Sequence, residues 1–233
     1  RPSKNLLIRF QTKERLMKLG LDANEVLTTT RSVRKRLDLD RFVEREVVEE
    51  CLDIALQAPT GSNTQGWQWV FVTDPDKKKA IADFYGANYD AYTNRSDQPQ
   101  YGDDDPRTSQ RPRIMDSSRY LREVFHQVPV MLIPCLQGEG RLDVGTPTFG
   151  QASAWGSILP AVWSFMLALR ERGLGSAWTT LHLPNEKEVA DLLGIPFETV
   201  TQAGLFPIAY TKGTDFQLAK RLPGSDLSHW DQW

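Results

Sequence analysis

Along this chain the apolar positions change period several times, and each change marks an expected element. Val47, Val48, Cys51, Leu52, Ala55 and Ala58 recur at three- and four-residue spacing, which predicts a helix over residues 45 to 58. Trp69, Val70, Phe71 and Val72 follow as a short β-rich run, the mark of a strand over 68 to 73. Asp74-Pro75 then opens a helix through about Tyr85, because proline is tolerated in a first helical turn. Upstream, Asp22 and Glu25 have the spacing of a capping pair for a helix over 23 to 30. Further on, Ser117 to Phe125 reads as a short helix and Val128 to Cys135 as a buried strand. Pro129 and Pro134 argue that this strand lies at a sheet edge, or that the prolines sit at its ends. Trp155, Ile158, Leu159, Val162, Trp163, Met166 and Leu169 trace a helix that is apolar over much of its circumference, central to the domain or to a dimer interface. Gly173-Leu174-Gly175 ends it, and a short strand is expected over Ala177 to Leu181. Asn185 with Glu188 supplies a capping box for a helix to Leu193, which Gly194 and Pro196 terminate, and Ala203 to Tyr210 is the last expected strand.

Three stretches fall outside this periodicity. Residues 1 to 24 form an N-terminal arm with Leu6, Leu7, Phe10, Leu16 and Met17 among many cations, read either as an amphipathic helix on a partner or as a mobile arm. From Thr93 to Arg113 the chain turns polar, with Asp103-Asp104-Asp105 and three prolines, so that about residues 93 to 118 are read as a disordered loop or a functional lid. The tail from Thr211 ends in Trp230 and Trp233, two side chains costly to leave in water, whose expected home is a partner subunit.

Composition narrows the function classes. A net charge of −2 on 233 residues gives no electrostatic reason to seek nucleic acid or an anionic membrane. No unbroken apolar run reaches the roughly eighteen residues of a membrane span, and the polar N-terminus lacks a secretory apolar core, so the expected location is cytoplasmic. No low-complexity linker divides residues 25 to 233, which are read as one domain. Cys51 and Cys135 both sit in apolar patterns and read as small buried hydrophobes. His126, His182 and His229 are scattered without ligand-spaced partners, so no metal site is expected. No nucleophile elbow or paired-carboxylate signature appears, and the catalytic set is left empty.

Two polar stretches remain. Ala58-Pro59-Thr60-Gly61-Ser62-Asn63-Thr64-Gln65-Gly66-Trp67 is a helix-to-strand corner in which Pro59 stops the helix and Gly61 and Gly66 permit unusual backbone angles. These residues suit a well-capped turn as well as a polar ligand shelf. Thr30-Arg31-Ser32-Val33-Arg34-Lys35-Arg36 carries four cations in six positions. If extended, it puts Ser32 and Arg34 on one side, and a guanidinium beside a hydroxyl suits a phosphate. A solvated basic run is the alternative.

An Arg-Ser-x-Arg segment, a helix, then Ala-Pro-Thr-x-x-Asn-x-Gln-x-Trp entering a strand resembles the nitroreductase family of FMN-dependent oxidoreductases. Arg172-Gly173-Leu174-Gly175-Ser176, the helix opened by Asn185, the strand Ala203 to Tyr210 and Arg221-Leu222-Pro223 follow in the family's order, over about residues 25 to 230. The resemblance implies an α+β, three-layer fold with a mostly antiparallel central sheet flanked by helices, in an intertwined homodimer whose tail wraps the other protomer. On pattern alone a generic three-layer α/β sheet also stands. By the same resemblance Arg31, Ser32, Arg34 and Arg221 hold the FMN phosphate and part of the ribityl chain. Pro59, Thr60, Gly61, Ser62, Asn63 and Gln65 line the isoalloxazine from the other subunit, Thr179 and Thr180 lie beside the ring, and Tyr101 and Arg107 of the lid contact the substrate. The implied reaction is ping-pong hydride transfer: NAD(P)H, the co-substrate, reduces FMN and a small-molecule electron acceptor such as a nitroaromatic or quinone then takes its place. The absence of a Gly-x-Gly-x-x-Gly after a strand fits a nicotinamide bound over the flavin. Reductive dehalogenation, dehydrogenation, and non-catalytic flavin or deazaflavin binding are the alternative tasks of such a scaffold.

Overall fold

The computed structural model describes residues 18–233 apart from Asp104 and Val144. The expected N-terminal arm therefore lies for the most part outside the described residues. Helices α1 (Ala23–Thr29) and α2 (Arg45–Ala55) precede strand β1 (Trp67–Val72), which leads into α3 (Pro75–Thr93) and α4 (Pro106–Val124). Strand β2 (Val130–Gln137) is followed by the long α5 (Thr148–Glu171), β3 (Leu174–Gly175), α6 (Glu186–Leu193), β4 (Val200–Gln202) and β5 (Phe206–Tyr210). The sheet order is β1-β2-β5-β3, β4 also pairs with β2, and every pair is antiparallel.

The alternation of side chains along β2 divides the core in two. Met131, Ile133 and Cys135 join Ile81 and Tyr85 of α3, Leu121 of α4 and Val189 of α6. Val130 and Leu132 face the other way, with Val47 and Cys51 of α2 and Ile158, Val162 and Phe165 of α5. Helices thus cover both faces of one antiparallel sheet, the expected α+β, three-layer arrangement. Burial on both sides explains why β2 reads as a continuous apolar run rather than an alternating one.

Several elements differ from expectation, each for a physical reason. β2 is central, not an edge. The Pro134 carbonyl accepts from Ala203 N (2.8 Å) on the β4–β5 side, so the missing proline donor faces the gap between those strands, where no partner carbonyl is needed. That gap also breaks the single strand expected over Ala203 to Tyr210. Gly204 lies there at φ +156°, and a Cβ on it would meet the Phe206 ring at 2.8 Å and the Thr179 carbonyl at 3.1 Å. The short strand expected over Ala177 to Leu181 is instead Leu174–Gly175, continued only by single bridges from Ser176 to Ser32 and from Thr179 to Leu205.

The expected long polar loop is largely helix. α3 runs on to Thr93 and α4 opens at Pro106, capped by the Asp105 carboxylate on Arg107 N, so among the described residues only 94–103 and Asp105 of this stretch are irregular. Asp105-Pro106 is a helix-start signal hidden inside a polar composition. The Asp22–Glu25 capping box forms as expected. The Asn185–Glu188 box does not, because Asn88 Nδ2 donates to Asn185 Oδ1 (2.9 Å) and Asn185 turns its amide to Glu188 (3.2 Å). One helix among the described residues, α5, is long and apolar enough to cross a membrane by length and composition. A count of unbroken apolar runs misses it because Gly, Ser, Thr and Gln are interspersed. Its buried side chains are core of this fold.

His182 is fully buried and its Nε2 donates to Gln202 Oε1 (3.1 Å), while Gln202 in turn bonds Glu186 through backbone and side chain. Burial pushes the imidazole down to about 4, against a small upward pull from Gln202. Because this folded value is below the unfolded one, the unfolded chain binds the extra proton between roughly pH 6.5 and 4. Stability is therefore full above that window and falls as pH drops through it. Urea unfolding across this range should show His182→Gln with a shallower acid limb than the parent, by about 1.4 kcal/mol for each pH unit. Coincident limbs would remove His182 from the account.

Candidate functional site

The segment after α1 is held at both ends. Val33 N donates to Ser176 O (2.8 Å), and the buried side chains of Val33 and Leu37 anchor it to the core, which leaves Ser32 exposed and Arg31 and Arg34 half-buried. Arg31 donates to the carbonyls of Thr30 (2.8 Å), Thr28 (2.7 Å) and Gln217, the last of these in the tail. Arg34 reaches Ser117 Oγ of α4 (3.3 Å), and Lys35 pairs with Asp116 one residue earlier (2.5 Å). Burial lowers the pKa of Arg34, opposed by the nearby Tyr85 and Tyr89. Burial, then the adjacent charge of Arg221, lowers that of Arg31. Arg221 is itself exposed and bonds only the Lys220 carbonyl (3.3 Å). Arg31 and Arg221 thus lie near each other where the tail passes, while the chain bends after Val33, so that Arg34 turns toward α4 instead of continuing an extended segment.

Sequence reasoning missed a member of this region. Arg170, in the last turn of α5, is 5% exposed and lines a cavity of about 10 Å³ with Thr30, Arg31, Ser176 and Phe216. Its Nη1 and Ser176 Oγ are both buried without a partner. The only signal in the sequence is a cation closing an otherwise apolar helical pattern. Among the described residues no carboxylate bonds Arg31, Arg34, Arg170 or Arg221, although Arg36 beside them pairs with Asp215 (2.6 Å).

The polar corner is built differently from expectation. Neither Gly61 nor Gly66 takes a positive φ. The left-handed backbone falls instead on Ser62 (51°), Asn63 (54°) and Gln65 (49°). The glycines serve close approach: a Cβ on Gly61 would meet Ser153 Oγ at 2.9 Å, and one on Gly66 would meet the Gln137 carbonyl at 2.7 Å. Gly61 N donates to Ser157 Oγ of α5 (2.9 Å) and Trp67 Nε1 to Ser157 O (2.7 Å), while Gln65 N donates to Thr60 Oγ1 (3.2 Å). Pro59, Gly61, Ser62, Asn63 and Gln65 are exposed and Thr60 is half-buried. No hydrogen bond or ion pair among the described residues joins this corner to the arginine segment.

The remaining expected contacts sit apart from both. Thr179 Oγ1 donates to Leu205 O (2.6 Å), leaving Thr180 as the exposed hydroxyl of the pair. Arg107 lies over the Tyr101 ring (4.2 Å), and Asp105 holds its guanidinium (2.6 Å). Cys51 and Cys135 are fully buried and burial pushes both thiols up to about 12, as inert core residues.

The model of the nitroreductase family matches residues 27–210, from the helix before the arginine segment to the end of β5. The chain belongs to the nitroreductase family. No curated protein matches the sequence significantly. Among solved structures, it is similar to a BluB-like flavoprotein from Clostridium difficile 630, with 16% identity, a TM-score of 0.67, and 91% of this chain and all of that one covered. It is similar also to the FMN and NADPH-dependent nitroreductase NfnB from Sphigopyxis sp. strain HMH, at 22% identity and a TM-score of 0.64, covering 91% and 100%. An iodotyrosine deiodinase bound to FMN and 3-iodo-L-tyrosine aligns at 22% identity and a TM-score of 0.60, covering 85% and 93%. Identities this low establish the nitroreductase fold and its company of flavoproteins.

In this nitroreductase-family chain the corner depends on Gly66 more than on Gly61, because a carbonyl cannot rotate away as a serine hydroxyl can. Gly66→Ala is expected to cost roughly 1–3 kcal/mol in urea unfolding, and Gly61→Ala distinctly less. The reverse order would show that the corner moves freely on β2.

Proposed function

We propose that this chain is an FMN-dependent oxidoreductase that uses NAD(P)H to reduce nitroaromatic, quinone or similar small acceptors by ping-pong hydride transfer. The observation that carries the reading is the set of guanidinium groups without carboxylate partners at Arg31, Arg34, Arg170 and Arg221. Arg170 is buried and Arg31 and Arg34 are half-buried, which makes an unpaired charge costly there, and a phosphate dianion supplies both the charge and the acceptor oxygens that these groups lack. The unpartnered Arg170 Nη1 and Ser176 Oγ face a cavity of about 10 Å³, room for about one water, next to Arg31. When bound, FMN supplies the hydride chemistry, and the protein supplies binding, orientation and electrostatics.

Arg31, Ser32, Arg34 and Arg221 hold the phosphate and the start of the ribityl chain in this reading. Pro59, Thr60, Gly61, Ser62, Asn63 and Gln65 of a second copy line the ring. Three non-glycine residues at positive φ are a strained backbone fixed by its tethers to α5, an arrangement suited to presenting donors at a fixed position. Thr180 is the free hydroxyl for the ring edge, with Thr179 bracing the segment. Tyr101 is pre-stacked by Arg107, whose charge is paired with Asp105, so the lid favours a neutral aromatic acceptor over an acidic one.

A homodimer is part of the proposal. Among the described residues no hydrogen bond or ion pair joins the corner to the arginine segment, and α5 leaves Phe149 (81%) and Trp163 (39%) exposed on an apolar helix. Trp230 (86%) and Trp233 (101%) are exposed among the described residues. Large exposed apolar groups in such number mark an interaction surface. Supply of NAD(P)H fits a cytoplasmic setting.

Purified protein should be yellow, and its flavin bands should bleach anaerobically with NADPH or NADH. Turnover with an added quinone or nitroaromatic then separates an enzyme from a storage protein, and screening iodotyrosine tests dehalogenation on the same site. Colourless protein that takes up no added FMN would defeat the reading. Arg34→Ala should lower flavin content at least tenfold, the size expected for one charge-assisted phosphate contact, while the thermal midpoint of the apoprotein moves little. Unchanged flavin content would remove Arg34 from the site. Trp163→Lys should yield a monomer by sedimentation with reduced flavin retention. A fully loaded monomer would show that one chain suffices.

A further inference from the structure

Arg170 adds a support from α5 where the segment after α1 and the tail, already joined through Arg36 to Lys212 and Asp215, run side by side. Its Nε and Nη2 both bond Thr29 Oγ1 (3.2 and 3.1 Å), at the end of α1 and two residues before Arg31. Nη2 also bonds Thr214 O (3.0 Å) in the tail that carries Arg221. The guanidinium lies 5.0 Å from the Phe216 ring centre, and Arg36 lies over the same ring at 4.2 Å. Next to Phe216, Gln217 O accepts from Arg31. The neighbouring acid Glu171 makes no hydrogen bond to this group: its two carboxylate oxygens bond Gly20 N (3.0 Å) and Leu21 N (3.1 Å). Burial lowers the pKa of Arg170, and the charge of Glu171, acting through space, raises it by less. What remains is a buried guanidinium, one nitrogen unpartnered, facing a small cavity with the unpartnered Ser176 hydroxyl.

We infer that Arg170 is a positioning residue that makes the site select a phosphorylated flavin over its dephosphorylated form, by bolting the tail that bears Arg221 to the segment that bears Arg31. This rests on the flavin reading above. The physical reason is that Arg31 and Arg221 repel each other, so their convergence needs an outside fastening until an anion arrives. Beside the Arg36 links to Lys212 O and Asp215, Arg170 contributes two hydrogen-bonded anchors and a cation–π contact, which hold the tail without placing a carboxylate in the phosphate position. A fork-shaped guanidinium reaches Thr29 and Thr214 together, which the single ammonium of lysine does less well. The riboflavin moiety makes no use of this fastening, so only the phosphate-dependent part of the affinity depends on it.

The test compares FMN and riboflavin binding, followed by quenching of flavin fluorescence on the full-length apoprotein, for the parent, Arg170→Lys, Arg170→Met and Thr29→Val. Arg170→Met is expected to weaken FMN about tenfold or more while riboflavin affinity changes less than about twofold. Lysine should restore part of the difference. Thr29→Val, which keeps the charge and removes one anchor, should reduce the FMN preference in the same direction and keeps the inference testable if the methionine variant folds poorly. An FMN-to-riboflavin ratio equal to the parent's in folded Arg170→Met, or in Thr29→Val where the methionine variant does not fold, overturns the inference and leaves the flavin reading standing. A parent that binds neither flavin overturns both.

Discussion

Like charges brought together by a fold must be held there by something else, and in this chain that constraint governs the region around Arg31. Arg31 lies near both Arg170 and Arg221, Arg34 turns from the same segment toward α4, no carboxylate among the described residues bonds any of the four, and their donors go to backbone carbonyls and hydroxyls. The sheet contributes by fixing Val33 against Ser176, α5 by Arg170, and the tail by Gln217 and Phe216. Each of these supports is neutral or cationic, which leaves the concentrated positive field intact for an anion. Arg36, one short step away, shows the contrast: paired with Asp215, it serves as a strut for the tail.

The polar corner follows the opposite design. Its components are neutral, and its precision comes from tight backbone packing on α5 and β2. Two glycines let the chain approach Ser153 and the Gln137 carbonyl, and the conformational strain is carried by Ser62, Asn63 and Gln65. In the proposed dimer the charged segment of one copy and the strained neutral corner of the other would face each other.

Much of this was readable from the residues. Periodicity located the helices of both outer layers, and the order of motifs pointed to the nitroreductase family that the match over residues 27–210 establishes. The errors share a cause, which is that local composition does not report where the backbone polar groups find partners. Pro134 looked like an edge signal because sequence cannot show the break at Gly204 that makes its missing donor harmless. The Asp105–Pro106 start was hidden by polar surroundings, and Asn185 was drawn away from its cap by Asn88 across the fold. In the corner, glycine was read as conformational freedom when its use is proximity. Arg170 carried no motif at all, since its importance lies in joining Thr29 to Thr214.

The last turn of α5 has a further consequence. Glu171 takes its main-chain carbonyl and both side-chain oxygens to Leu19, Gly20 and Leu21, while its neighbour Arg170 takes Thr214. Two adjacent residues therefore fasten stretches of chain from opposite ends of the described sequence. Closing loops of that length has an entropic cost that can be recovered only once the helix and sheet between them are in place. A clasp of this kind is expected to form after the core and to open before it, so the arrangement of Arg31, Arg170 and the tail would report a finished fold.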